Sequence, residues 1–333
     1  MSDLHLSLLN DFQRGFPLTS APFDIISHRL GLGVEEVLDT LRRLTREGVI
    51  SRVGAVFRPN RIGASTLAAM AIPEERLAEV AQQVSAHPEV NHNYEREHHF
   101  NLWFVATAAN AAHLERVLQD IEQQIGLSVM RLPMVQDYHI DLGFDLRPTV
   151  ALAHQPQRKP VPTPALELDG LDYALVAAIQ EGLPLVARPY AEVAATIGTS
   201  EADVLSRLER LLDHDIIKRL GIVVRHHELG FRANAMVVWN IPDERIDEFG
   251  RCIGASGLVN LCYQRPRRLP DWPYNLFCMI HGKDREAVLG RLDQLRDQCG
   301  LVDFQCEVLF SKQRFKQTGA RYVEARPKAE KVA

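Results

Sequence analysis

Apolar residues recur at helical spacing in the first part of the chain. Leu38, Leu41 and Leu44 follow one another every third position, which places them on one face of a helix. The pattern predicts three helices, at about 4–14, 22–30 and 34–47. Gly48 suits the end of the last helix, and residues 49–57 predict a short strand or wing. Two helices joined by a glycine-containing turn and followed by a strand are typical of a winged helix-turn-helix.

Beyond this segment the pattern alternates between strands and helices. The predicted order is strand, helix, strand, strand, helix and strand, over 65–72, 73–87, 90–97, 99–107, 110–126 and 127–140. This is the βαββαβ order of a ferredoxin-like domain.

Both patterns occur twice. Segment 16–31 aligns with segment 183–198 at a constant offset that continues along the chain, and VNHNYER at 90–96 matches VNLCYQR at 259–265. Such internal similarity over almost the whole length indicates a duplicated module. The predicted fold class is therefore α+β, a tandem repeat of a winged helix-turn-helix followed by a ferredoxin-like domain.

Five segments follow from the repeat and from a Pro-rich, polar stretch between the copies. They are a winged helix-turn-helix at 1–60, a ferredoxin-like domain at 61–150, a linker at 151–166, a second winged helix-turn-helix at 167–227 and a second ferredoxin-like domain at 228–325.

Composition narrows the possible classes of protein. No run approaches the ~18 apolar residues of a membrane span, and the N-terminus lacks a signal-like segment, so we expect a cytoplasmic protein. All five cysteines lie in the second half without a C-x-x-C pair, which argues against a disulfide framework and a zinc ribbon. The net charge is −5, whereas nucleic-acid-binding proteins usually carry a basic patch.

The second helix of each helix-turn-helix begins with acidic residues, Glu35 and Glu36 in the first copy and Glu201 and Asp203 in the second. Such residues complement the helix dipole but repel DNA phosphates. The arginines that follow are expected to pair with these acids, for example Arg43 with Asp39. DNA is therefore an unlikely partner.

Potential chemistry concentrates in the two middle strands of each ferredoxin-like domain. The first copy carries an aromatic and basic cluster, comprising Tyr94, Arg96, His98, His99 and Asn101. The second copy keeps the tyrosine, the arginine and the asparagine and adds other groups, giving Tyr263, Arg265, Arg267, Arg268, Trp272, Tyr274, Asn275 and His281. Dinucleotide, P-loop and helical zinc motifs are absent from the sequence.

The layout resembles the Lrp/AsnC regulators, and its details resemble the siroheme decarboxylases of that family. NYEREHHFNLWF at 93–104 is similar to the NirD-type (AhbA-like) signature, and CYQRPRRLPDWPYNLFCMIHG at 262–282 to the NirL-type (AhbB-like) signature. The resemblance covers nearly the whole chain and is to the NirD–NirL fusions. It implies removal of two acetate carboxyl groups from siroheme, giving 12,18-didecarboxysiroheme for haem d biosynthesis.

This resemblance suggests roles for the clustered residues. His98 and His281 are expected as the principal catalytic pair, one as general acid and one beside or bound to the substrate iron, with Tyr94 and Tyr263 assisting. The other members of both clusters are expected to bind the carboxylates and ring of the substrate, namely Arg96, Arg265, Arg267, Arg268, Trp272, Tyr274, His99, Asn101 and Asn275.

No cofactor beyond the siroheme iron and no protein-only metal site is expected. The expected partners are siroheme and other proteins of haem biosynthesis, without a membrane, for a monomer or a homodimer. Two alternatives remain open, a transcriptional regulator with a small effector and a tetrapyrrole carrier that binds without reacting. Incubation of the protein with siroheme separates these alternatives from the enzyme, because only the enzyme would decarboxylate the siroheme.

Overall fold

A computed structural model describes residues 3–58, 60–140, 166–224 and 233–323. These residues form two compact units, each built from corresponding parts of both copies. Unit 1 holds both helix-turn-helix segments, and unit 2 holds both strand-rich domains. The predicted linker 151–166 lies outside the described residues except for its last position, as do the predicted domain ends beyond residues 140, 224 and 323.

Unit 1 contains two sets of three helices. They are α1 (Asp3–Asp11), α2 (Pro22–Leu30), α3 (Val34–Arg46), α6 (Gly170–Ile179), α7 (Pro189–Ile197) and α8 (Glu201–Asp213). The residues shared by the repeats explain two of these ends. Pro22 and Pro189 occupy a first helical turn, where the missing N–H has no intrahelical partner to lose. Gly31 and Gly198 follow the same helices with φ of 67° and 75°, a conformation that favours glycine.

The wings of the two copies pair with each other. Strands β1 (Ile50–Phe57) and β7 (Ile217–Val224) form an antiparallel ribbon in which Gly54 lies opposite Gly221. A Cβ at Gly221 would come 2.1 Å from the backbone oxygen of Gln13. The repeated glycine therefore allows the chain after α1 to cross the ribbon.

In both copies, arginines on the second helix of the helix-turn-helix pair with acids, although one predicted partner was wrong. Asp39 contacts Arg42 at 2.8 Å, one residue before the predicted Arg43, which instead reaches Glu47 at 3.3 Å. In the second copy Arg207 binds Asp203 at 2.9 Å, as well as acids at the start of α6.

Unit 2 contains four helices, α4 (Leu77–Ala86), α5 (Ala111–Ile125), α9 (Ile246–Ala255) and α10 (Arg285–Cys299). Its strands in the first copy are β2 (Ala64–Met70), β3 (Val90–Arg96), β4 (Leu102–Ala108), β5 (Met130–Pro133) and β6 (Gln136–Ile140). Those in the second copy are β8 (Ala233–Trp239), β9 (Leu261–Gln264), β10 (Leu276–Gly282) and β11 (Cys306–Gln317). The predicted helix 73–87 begins with a 3₁₀ turn at Glu74–Arg76.

These strands form one sheet in the order β5-β2-β4-β3-β11-β8-β10-β9-β6. Each copy contributes the ferredoxin-like order of fourth, first, third and second strand, so the predicted fold is confirmed. The copies also exchange their chain ends. The second half of β11 pairs with β3 of the first copy, and β6 of the first copy pairs with β9 of the second.

The prediction of a single strand over 127–140 was wrong, because the structure divides this segment into β5 and β6. Pro133 ends β5, and a proline cannot donate the N–H that a continuing ladder needs. Only two residues separate β5 from β6, yet these strands lie at opposite ends of the sheet order. The sheet must therefore curve until its ends approach, and the Val135 N–H donates to the Gln264 oxygen at that junction.

The two faces of the curved sheet carry different cores. In β8, Ala235 and Val237 face the apolar cluster that contains α9 and α10, whereas Met236 and Val238 face the opposite side. We call that opposite side the inner face. Its apolar cluster contains residues of both copies, including Trp103 and Leu309.

The strand β6 is held on the helical side of the second copy. A Cβ at Gly250 of α9 would come 2.3 Å from the Tyr138 ring, and the Tyr138 hydroxyl donates to Asp247 at 2.7 Å. Nearby, Cys252 and Cys299 form a disulfide between α9 and α10, a pairing that the sequence analysis did not predict. The signal was weak because the two residues are 47 positions apart and meet only through the packing of the helices.

Candidate functional site

The repeated Tyr-x-Arg pairs lie on the inner face of the sheet. Tyr94 is opposite Trp103 across β3 and β4, and Tyr263 is opposite Phe277 across β9 and β10. Directly opposed residues of an antiparallel pair share a face, and both partners belong to the inner apolar cluster. Burial raises the pKa of the Tyr263 hydroxyl above its ordinary value.

Arg96 and Arg265 make equivalent contacts in the two halves. Arg96 donates through Nη1 to the Leu309 oxygen of the other copy, and Arg265 through Nη1 to the Leu132 oxygen of the other copy. Each guanidinium also lies over the tyrosine of its own pair, 5.8 Å and 5.2 Å from the ring centres. A carbonyl oxygen of the other copy thus anchors one corner of each arginine.

The opposite edge of each guanidinium, which carries Nε, is buried and incompletely hydrogen-bonded. The Nε atoms of Arg96 and Arg265 are buried without a hydrogen-bond partner, and neither side chain pairs with a carboxylate of the described chain. Burial lowers the pKa of both arginines to about 10. The Nε–Nη2 edge of a guanidinium is one that binds a carboxylate through two hydrogen bonds.

His281 shares a row with Arg96 across four strands. His281 is opposite Asn234, whose side-chain oxygen accepts a hydrogen bond from Ser311 at 2.8 Å, and Ser311 is opposite Arg96. Three interstrand steps of ~4.8 Å separate the ends of this row by ~14 Å. His281 is buried, and its Nδ1 lies 2.8 Å from the Asn260 oxygen. Because that oxygen only accepts, Nδ1 carries the proton.

The first copy lacks a histidine at the corresponding position. Thr107 lies six residues after Asn101, as His281 does after Asn275, and its hydroxyl donates to Ser65 at 3.2 Å. The row that ends at Arg96 therefore contains a titratable histidine. The corresponding positions in the half with Arg265 carry the hydroxyl groups of Thr107 and Ser65 instead.

His98 follows the end of β3 and reaches the second copy. Its Nδ1 accepts the Phe100 N–H at 2.9 Å, and its Nε2 lies 2.8 Å from Glu307 on β11. Burial lowers the pKa of His98, and the neighbouring Glu307 carboxylate opposes that shift. The other carboxylate oxygen accepts from the Tyr274 hydroxyl at 2.8 Å. His98 and Tyr274 therefore meet through a residue that the sequence analysis missed.

Glu307 gave a weak signal in the sequence. Glu307 is two residues before Leu309 and four before Ser311 along β11, so the three share a face. Glu307 is thus a charged residue on the inner side of a predicted strand. Recognising this required the register of the last strand, which the sequence pattern alone did not supply.

Trp272 is fully buried rather than part of an open loop. It lies at the centre of an aromatic cluster with ring centres 5.0 to 6.0 Å away, comprising His98, Phe100, Trp103, Tyr274 and Phe277. Trp272 therefore packs beside His98 and forms the adjoining part of the inner face.

The two predicted asparagines serve the scaffold in this structure. Asn101 accepts the Ile72 N–H at 2.9 Å and donates to the Ile72 oxygen at 2.8 Å. Asn275 makes the same two contacts with Ile241, at 3.0 and 2.8 Å. These amides close the turn before each first helix, which explains their recurrence in the repeat without a substrate.

The remaining predicted residues lie away from the Nε–Nη2 edges of Arg96 and Arg265. Arg267 is bound by Asp243, by the Pro273 oxygen and by the Ile241 oxygen, so it fastens the long connector to the turn before α9. Arg268 is exposed and donates to the Arg131 oxygen at 2.8 Å. His99 is exposed, with its ring against Phe100. The structure does not bring these three side chains to the row of Arg96 and His281.

Two further properties concern metals and membranes. Within the described residues no group of three or more histidine, cysteine, aspartate or glutamate side chains is arranged to hold a metal ion. None of the described helices combines the length and apolar character needed to cross a bilayer.

The sequence matches two family descriptions, each of them twice. The AsnC-like ligand binding domain matches residues 61–139 and 228–316, and the siroheme decarboxylase NirDL-like HTH domain matches residues 6–50 and 172–218. The chain is 44% identical to the siroheme decarboxylase NirDL subunit of Paracoccus denitrificans, over 97% of this chain and 98% of that protein. The chain belongs to the siroheme decarboxylase NirDL family.

Relatives of this family also occur as separate subunits. The siroheme decarboxylase NirD subunit of Pseudomonas aeruginosa is 51% identical over 44% of this chain and 97% of that protein. A solved NirDL siroheme decarboxylase, in complex with an iron-uroporphyrin III analogue, aligns with a TM-score of 0.70 and 27% identity, covering 97% of this chain and 96% of that one. Family membership and the duplicated fold agree with the predictions from the sequence.

Proposed function

We propose that this chain is a carboxy-lyase that converts siroheme to 12,18-didecarboxysiroheme, with no cofactor beyond the iron of its substrate. The observation that carries the proposal is the pair of arginines whose buried Nε atoms lack a hydrogen-bond partner and whose charges face no carboxylate of the described chain, Arg96 and Arg265. A buried charge without a counter-ion is costly, and an anionic ligand removes that cost. Siroheme carries several carboxylates, so it supplies such a ligand to both halves.

The inner face is also suited to the reaction itself. In each decarboxylation the bond between the methylene and carboxyl carbons breaks, CO₂ leaves with the carboxyl oxygens, and one proton is added to the methylene carbon to give a methyl group. Histidine is the side chain best able to supply that proton near neutral pH. We assign this chemistry to His98 and His281, with Tyr94 and Tyr263 as hydrogen-bonding neighbours.

The structure favours the half that contains Arg96 as the reacting half. His281 shares the row of Arg96, and His98 follows Arg96 by two residues, whereas the corresponding row of the first copy has Thr107 and Ser65. In this proposal Arg265 binds a carboxylate that does not react. The other half-site thus holds the substrate while the reacting half changes it.

The test is anaerobic incubation of the purified protein with siroheme, followed by mass spectrometry of the tetrapyrrole. The expected result is two successive losses of the mass of CO₂. A double variant, His98→Ala with His281→Ala, is expected to bind siroheme without converting it. Unchanged siroheme with the unmodified protein would instead favour a carrier, and tight, salt-sensitive binding to a specific duplex would favour a regulator.

A further inference from the structure

One carboxylate joins the two copies on the inner face. Glu307 of the second copy meets His98 Nε2 of the first copy at 2.8 Å and the Tyr274 hydroxyl at 2.8 Å. Gln305 donates to the same hydroxyl at 3.3 Å. A chain of contacts therefore holds the imidazole. The residues in this chain occupy non-equivalent positions of the two copies, so the duplication alone does not explain it.

The contacts define the protonation pattern of the His98 ring. Its Nδ1 accepts the Phe100 N–H, so the proton of the neutral ring is on Nε2 and points at Glu307. A second proton must enter at Nδ1 and displace the Phe100 contact. The attraction of the carboxylate for the imidazolium must then outweigh the loss of one backbone hydrogen bond.

Few charged groups face this ring. The Glu307 carboxylate favours its protonation, and His99, the next residue in the chain, opposes it. Glu97 lies on the other side of His98 in the chain, but it pairs with Arg285 at 2.8 Å. The His98 side chain is 16% exposed, whereas that of Glu307 is 42% exposed, so the carboxylate is the solvated end of the pair.

We propose that Glu307 is a positioning residue for His98, which orients the imidazole and stabilises its protonated form for proton delivery to the substrate. Tyr274 in turn fixes the Glu307 carboxylate. This inference rests on the proposed function, since it assigns His98 to the decarboxylation. Glu307 contributes the charge and holds the Nε2 proton, so the proton that enters at Nδ1 is the one His98 transfers to the substrate methylene carbon.

The variant Glu307→Gln isolates the charge, because its side-chain oxygen can still accept from Nε2. Glu307 orients His98 as outer partners orient metal-bound histidines, and loss of such partners costs about 10- to 100-fold in activity. We expect a reduction of that order in kcat with little change in KM. The high-pH limb of the kcat profile is expected to move to lower pH, because burial then acts on His98 without an opposing charge. Tyr274→Phe is expected to cause a smaller loss in the same direction.

A matched control exists elsewhere in unit 2. Glu89 precedes β3 and contacts His113 of α5 at 3.2 Å, with 19% and 20% of the two side chains exposed. Glu89→Gln removes one carboxylate from a carboxylate–histidine pair and is expected to leave kcat, KM and the pH profile unchanged.

An activity-independent measurement completes the test. NMR titration of histidine-labelled protein, with His98 assigned by His98→Gln, should show a lower midpoint for His98 in Glu307→Gln than in the unmodified protein. An unchanged midpoint, or a kcat within about twofold of the unmodified enzyme, would overturn the proposal. If the unmodified protein does not convert siroheme, the proposed function fails, and the NMR midpoint still decides whether Glu307 controls the ring. Should Glu307→Gln not fold, Tyr274→Phe carries the same pair of measurements.

Discussion

Replacing Arg96 with methionine separates its role in binding from any role in stability. The Arg96 pKa falls from 12.5 to about 10 through burial, which corresponds to about 3 kcal/mol against the charged form. Methionine removes that cost but also removes the hydrogen bond to the Leu309 oxygen, worth about 1.5–3 kcal/mol for a charged donor. The two effects nearly cancel, so the free energy of unfolding should change by no more than about 1 kcal/mol.

Ligand binding should respond much more strongly to Arg96→Met. A carboxylate bound through two hydrogen bonds loses about 1.5–3 kcal/mol, which corresponds to a Kd raised about 10- to 100-fold. The assays are urea unfolding followed by tryptophan fluorescence, and absorbance titration with iron-uroporphyrin III. A loss of more than about 2 kcal/mol of stability with an unchanged Kd would show that Arg96 is only a structural anchor.

The matched control is Arg131→Met on β5. Arg131 is bound by Glu115 and Glu122, and these contacts raise its pKa, in contrast to Arg96. Its replacement leaves two carboxylates without their shared partner. We therefore expect the opposite result, a stability loss of about 1–2 kcal/mol and an unchanged Kd for iron-uroporphyrin III.

Three further outcomes follow from the described contacts. Gly250→Ala should lower the free energy of unfolding by about 1–3 kcal/mol in urea, because the added Cβ meets the Tyr138 ring, whereas Gly290→Ala, with open space around it, should stabilise the protein slightly. Asn101→Ala and Asn275→Ala should each destabilise the protein by about 1–3 kcal/mol with iron-uroporphyrin III binding intact; weaker binding at unchanged stability would restore their predicted substrate role. The lowered His98 pKa means that the unfolded chain binds this proton more readily, so stability should fall as the pH drops below about 6.5. His98→Gln should reduce that dependence in pH-resolved urea unfolding, and an unchanged slope would contradict the pKa argument.

The repeated scaffold was readable from the sequence because it is local. Helical spacing predicted α3, and the repeated prolines and glycines proved to be helix ends and close crossings, as at Pro22, Gly31 and Gly221. The Tyr-x-Arg pairs were found for the same reason, since residues two apart in a strand share a face.

The contacts between copies were not readable, because no local pattern encodes them. The division at Pro133, the reach of β6 to β9 and the contact of Glu307 with His98 all depend on register across the duplicated sheet. Sequence resemblance also does not distinguish Asn101 and Asn275, which bind the backbone, from Arg96 and Arg265, whose Nε atoms have no hydrogen-bond partner. Residue type and recurrence suggested all four, and only their surroundings separate them.

The exchange of chain ends has a consequence for the synthesis of the protein. The edge of β3 is completed by the second half of β11, about 220 residues later in the chain. At ~5–20 residues per second, a ribosome leaves that edge unpaired for ~10–45 s. An open strand edge is a site of association between chains. On a polysome, neighbouring nascent chains therefore compete with the late β11 segment for the first copy, and slow translation of the second copy should favour that misassembly.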